Sequence, residues 1–136
     1  MANYTKFQQF VEDLAHGVHN FDSNTIKVAL SNASNPPSAS DDAVLGDITT
    51  VSTANLDGVT LTKGSSGQTS GTYKYVPNDL TMTANGAVPA FQYVIIYNDT
   101  AANDPLICYF DCGSEVTLAS GDTFKLDFGD QLFSLA

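Results

Sequence analysis

From Ile26 onward the apolar residues recur at every second position, in short runs separated by Gly, Asn, Asp, Ser and Pro, and no other feature restricts the fold as strongly. A period of two puts alternate side chains on opposite faces of an extended strand, whereas a helix needs spacings of three and four. Ile26, Val28 and Leu30 alternate with Lys27 and Ala29, and Leu80, Met82 and Ala84 alternate with Thr81 and Thr83. Tyr73 and Tyr75 share one face of a strand that Pro77 ends. The run FQYVIIYN from Phe91 is apolar on both faces, as expected of a central strand covered twice. After the turn DTAANDP, Leu106, Cys108, Phe110 and Cys112 alternate with Ile107, Tyr109 and Asp111. Short strands are also expected over 44–48 and 59–62, at Val116 and Leu118, at Phe124, Leu126 and Phe128, and over 132–135. Roughly eight or nine strands at turn spacings of about 8 to 12 residues describe a mainly β, antiparallel β-sandwich, jelly-roll-like in plan, rather than a parallel sheet.

One segment departs from this period. Phe7, Phe10, Val11, Leu14, Ala15 and Val18 follow helical spacing, and Thr5 with Gln8 three residues later forms a capping-box start. This predicts one amphipathic helix over about 5–16, closed by Gly17 at C′, with His16 and His19 near the negative end of its dipole. Two readings of its Phe and Leu stripe stay open: it docks on the core, or part of it contacts a partner subunit. Residues 31–42, SNASNPPSASDD, carry little to bury and are expected to be a long mobile loop; GSSGQTSG at 64–71 is expected to be a second flexible loop. At 136 residues the chain fits a single domain, 1–136, with no internal repeat.

Charge narrows the partners. Fifteen acidic residues face five basic ones, all lysines, for a formal net charge of −10. A basic patch able to neutralise phosphates is therefore missing, which argues against nucleic acid and against an anionic membrane surface. No apolar run approaches the roughly 18 residues of a spanning helix, and the opening segment lacks the apolar core of an export signal. Cys108 and Cys112, four residues apart on one strand, lie about 13 Å apart at roughly 3.3 Å per residue, too far to bridge, so reduced core thiols are expected. The sequons at Asn3, Asn32 and Asn98 then read as chance products of an Asn- and Thr-rich chain.

Reactive groups are scattered. Both histidines fall in one N-terminal segment, no G-x-S-x-G elbow or phosphate-cradling loop occurs, and only two glutamates, Glu12 and Glu115, are present. No catalytic, cofactor-binding or metal-binding residue is expected, and the chain is read as a non-enzyme. Two weaker ideas remain: calcium at Asp41 with Asp42, Asp99 with Asp104, or Asp122 with Asp130, and sugar stacking on Tyr73, Tyr75 or Tyr109.

The opening NYTKFQQFVEDLAHGVHNFDSNTIKVALSN, the segment FQYVIIYNDTAANDPLICYFDCG and the ending SGDTFKLDFGDQLFSLA resemble a family of short virion structural proteins of tailed bacteriophages and prophages. The similarity runs from the helix to the last strand and is weakest over 31–90. The resemblance implies a virion component found near the major capsid protein. The expected role is a capsid decoration (cement) protein on the outer surface of the assembled head, made in the bacterial cytoplasm and self-associating, with a trimer as the expected state. The alternatives are a head- or tail-fibre-type host-recognition module binding glycan or protein, and a tail or neck accessory protein. Candidate capsid or subunit contacts are Asn3, Tyr4, Phe7 and Phe10, with the 31–42 loop.

Overall fold

The computed structural model describes residues 3–136. The chain is mainly β, in antiparallel sheets, with one short helix near the N-terminus. Its elements are β1 (Asn3–Lys6), α1 (Gln8–Ala15), β2 (Ile26–Ser31), β3 (Leu56–Asp57), β4 (Lys63–Thr69), β5 (Thr72–Pro77), β6 (Leu80–Ala84), β7 (Val88–Asn98), β8 (Leu106–Leu118), β9 (Thr123–Leu126) and β10 (Phe133–Leu135). A four-stranded sheet, β1-β8-β7-β2, and two three-stranded sheets, β10-β5-β4 and β3-β6-β9, contribute to one sandwich core.

The central strand is where the double apolar run places it. β7 lies between β8 and β2, and Val94, Ile95 and Ile96 are all fully buried, so both of its faces are covered. β6 alternates buried Leu80, Met82 and Ala84 with exposed Thr81 and Thr83. Ring pairs join the layers: Phe110 meets Phe128 at 6.1 Å and Phe91 meets Phe124 at 5.4 Å. Contacts of this kind add about 0.5–1.5 kcal/mol beyond the area they bury.

Several expectations are corrected. The helix begins at Gln8 rather than Thr5, because residues 3–6 are a strand paired with β8, Tyr4 opposite Phe110 and Lys6 opposite Cys108. Phe7 takes the N-cap position without a side-chain bond, and a carbonyl from the 31–42 segment beyond β2 supplies the missing acceptor: Gln8 N–H donates to Ala39 O at 2.9 Å. A helix leaves its first four N–H groups without internal partners, so this bond replaces what Thr5 would have given. His19 also departs from the dipole reading, since it is buried between the rings of Phe10 and Phe21.

The 31–42 segment, expected to be a mobile loop, is tied to its surroundings by hydrogen bonds at several points. Ser31 ends β2 and is fully buried, Pro37 is buried, and Ser38 and Asp42 bond to each other twice, through Ser38 N–H to Asp42 Oδ2 (2.7 Å) and Asp42 N–H to Ser38 O (3.0 Å). Ala33 N–H also reaches the Glu115 carboxylate of β8 at 3.2 Å. The strand expected at 44–48 is a 3-10 turn over Leu45–Asp47, whose start is held by Asp47 accepting from Ala43 N–H and Val44 N–H at 2.9 and 3.1 Å. The strand expected at 59–62 reduces to an isolated bridge between Lys27 and Thr60. Val116 and Leu118 belong to the long β8 rather than to a strand of their own.

The second loop is also a strand. β4 pairs with β5 through a two-residue turn at Ser70 (φ 52°) and Gly71 (φ 84°), both left-handed, as a type I′ hairpin requires. At Gly64, where the ladder shifts register, a Cβ would stand 2.7 Å from the Val76 carbonyl, so the close strand approach there excludes other residues.

Candidate functional site

The site is built where the sandwich is left open along β1. Phe7 N–H donates to Ile107 O at 3.2 Å, and in the antiparallel register this makes the odd-numbered residues of β1 the ladder partners of β8. The N–H and C=O groups of Tyr4 and Lys6 therefore point away from β8, to an edge that no strand covers among the described residues.

Beside that edge lies a groove of about 620 Å³, roofed by α1 and floored by the start of β1, by Phe110 and by the residues leading into β10. Three large apolar side chains are exposed among the described residues, Tyr4 (42%), Val11 (54%) and Leu135 (56%), and all three line this groove. Scattered exposed apolar residues are ordinary on a protein surface; their collection at one place marks a contact surface. No carboxylate side chain lines the groove among the described residues, although the chain carries fifteen acidic residues, and Lys6 supplies its one basic group.

Tyr4 is pinned within the groove. Its ring meets Phe110 edge-on at 5.5 Å, and the buried Cys108 thiol neighbours it. Burial first, and then the neighbouring Cys108, push the Tyr4 phenol well above its ordinary range, while burial does the same for the Cys108 thiol. Both groups therefore stay protonated near neutrality, and neither offers an anionic nucleophile.

The four candidate contacts separate. Tyr4 and Phe10 line the groove, but Phe10 is 1% exposed and packs on Phe133 (5.1 Å), His19 (5.2 Å) and Phe21 (5.9 Å). Phe7 is fully buried against Tyr109 at 5.2 Å, outside the groove. Asn3 is exposed at the start of β1, opposite Asp111. Tyr4 and Asn3 are thus the two that reach the surface. Lys6, Val11 and Leu135 belong to the site without having been picked out, since nothing in their local spacing reveals that residues so far apart in the chain share one rim.

Much of the other candidate chemistry is engaged in packing or hydrogen bonds. Of the sugar platforms, Tyr75 is a core residue at 2% exposure, Tyr73 bonds to Ser66 Oγ at 2.6 Å, and Tyr109 stands edge-on to Tyr93 at 6.1 Å. Of the proposed calcium ligands, Asp42 and Asp122 accept turn amides and Asp99 pairs with Lys27 at 3.2 Å; among the described residues no three acidic, His or Cys side chains gather within reach of one metal ion. Both cysteines are free, Cys108 buried and Cys112 half-buried. Asn98, which begins a sequon, is fully buried: its Nδ2 donates to Asn24 Oδ1 (2.9 Å) and to His19 Nδ1 (3.0 Å), and its Oδ1 accepts Thr100 N–H (2.9 Å) and Ala101 N–H (3.1 Å).

No helix among the described residues is long and apolar enough to cross a membrane. No family model, curated protein or solved structure gives a significant match to the chain.

Proposed function

We propose that this protein is a non-catalytic virion structural protein of a tailed bacteriophage, a capsid decoration or cement protein that coats the outer surface of the assembled head and braces it. The observation that carries the reading is the groove: among the described residues, an acidic protein gathers its large exposed apolar side chains into one surface free of carboxylate side chains, beside a strand edge that no strand covers. Such a surface serves adhesion. The resemblance of the opening, middle and closing segments to virion proteins supplies the setting, with the major capsid protein as the partner.

Sign and multiplicity agree with that setting. A protein of formal charge −10 is repelled by packaged DNA, which favours the outside of the shell. Weak contacts repeated by symmetry add to large total affinity without any one of them being strong.

The test is add-back to purified heads lacking the protein, with copy number read by quantitative mass spectrometry. Saturation at a multiple of the capsomer number supports the reading, and Val11→Asp, at an exposed position on the groove rim, is expected to lower occupancy at least tenfold while leaving the fold intact. A few copies per particle, confined to an appendage, would instead identify a fibre or neck component.

A further inference from the structure

We propose that the partner of the β1 edge is the β1 edge of a second copy, so that two four-stranded sheets join across a two-fold axis at Thr5 into one continuous sheet. This rests on reading the groove as an assembly surface and is independent of what the assembly coats.

The register is self-complementary. Because Tyr4 and Lys6 turn their backbone groups outward, antiparallel pairing of β1 with itself sets Tyr4 opposite Lys6 of the second copy, and Lys6 opposite its Tyr4. Each of these two pairs exchanges two N–H···O=C bonds, four in all. Each lysine then lies beside the partly exposed tyrosine ring of the other copy, a cation–π arrangement, rather than against the other lysine. Neither of the chain's two ion pairs involves Lys6 among the described residues.

Charge is compatible with this face. Two copies of formal charge −10 repel, so a contact is favoured where carboxylates are sparse, and the groove is lined by none. Glu12 and Asp13, the acids of α1, are held by Gln9 and do not line it. A two-fold axis perpendicular to the sheet keeps the groove faces of both copies on the same side. An isologous contact of this kind closes on itself and forms a dimer. The lysine on so short an edge strand also discourages the register centred on Lys6, in which the two lysines would oppose each other.

The experiment uses the full chain with Cys112→Ser, so that no half-buried thiol interferes. Thr5→Cys places two thiols across the axis in a non-hydrogen-bonded pair, about 4.5 Å between Cα atoms and within bridging range. Asn3→Cys places them about 14 Å apart at roughly 3.4 Å per residue, out of range. Mild oxidation is expected to link the first variant as a dimer and not the second. In sedimentation on the unmodified chain, a dimer should grow from micromolar to millimolar concentration and strengthen with added salt, which screens the like charges. Lys6→Pro removes an outward N–H in each copy and leaves the β8 ladder intact; two lost bonds at about 1 kcal/mol each weaken the dimer by about 30-fold. Lys6→Thr separates this backbone effect from loss of the charge, and far-UV circular dichroism confirms that both variants fold.

A monomer at every concentration, a trimer without the Thr5→Cys link, or equal linking at Asn3→Cys overturns the proposal. Binding to heads by a strictly monomeric protein would overturn this contact alone, whereas a linked dimer that ignores heads would overturn the decoration reading alone.

Discussion

Replacing Phe10 by alanine tests whether this side chain belongs to the core or to a partner. Phe10 is 1% exposed and touches three rings, Phe133, His19 and Phe21, at centroid distances of 5.1, 5.2 and 5.9 Å. It is also the buried residue of α1, so its loss releases the helix along with the packing. A buried Phe→Ala change costs about 3–5 kcal/mol, and the ring contacts place this one near the upper half, about 4 kcal/mol. Domains have about 5–15 kcal/mol in total, so the variant should remain folded but marginal. Urea unfolding followed by circular dichroism reads the effect as a large fall in midpoint with an unchanged slope. Val11→Ala, one residue along and more than half exposed, should change stability by no more than about 0.5 kcal/mol. A Phe10→Ala cost below about 1.5 kcal/mol, or an equal cost at Val11, would refute the placement of the helix.

His19 gives a pH signature. Burial holds its pKa below the usual histidine value, against the smaller opposing effect of Asp13. The unfolded chain therefore takes up the proton first, and His19's contribution is full above about pH 6.5 and is lost as pH falls through the depressed folded value. Urea midpoints between pH 7.5 and 4.5 should decline in the native chain and decline less in His19→Gln, which keeps an acceptor for Asn98; parallel curves would reject this origin. Asp22, through its Lys63 hydrogen bond, and Asp47, through backbone amides, are held below the ordinary carboxylate value, so their contributions are lost only at lower pH. Thiol labelling near pH 8 should modify Cys112 slowly and Cys108 only after unfolding, since burial raises both thiols and Cys108 is fully enclosed; two equally fast thiols would contradict that burial.

What was legible follows what each segment buries. β6, β7 and the first half of β8 announce themselves because their apolar side chains meet a core on one face or both, and burial leaves a period in the residues. β4 has no buried residue: KGSSGQT is held by its hairpin partner and a left-handed turn, so its composition looks like a loop. β1 hides for another reason. Four residues are too few to show alternation, and Thr5 with Gln8 imitates a cap that the Ala39 carbonyl supplies instead. The 31–42 segment conceals its anchoring because backbone bonds and one buried proline leave little hydrophobic trace. Tyr4 was picked out with Asn3 as a contact residue ahead of the helix. The groove was not, since its rim is assembled from β1, α1 and the residues around β10, and no local pattern reports that convergence.

A cryo-EM reconstruction of the virion measures the central claim most directly. Decoration predicts density for this sandwich in many copies at symmetry-related positions on the outer face of the head, with the β1 side engaged in a contact. Density restricted to a few copies at the neck, tail or a fibre, or a head surface without it, would contradict the account.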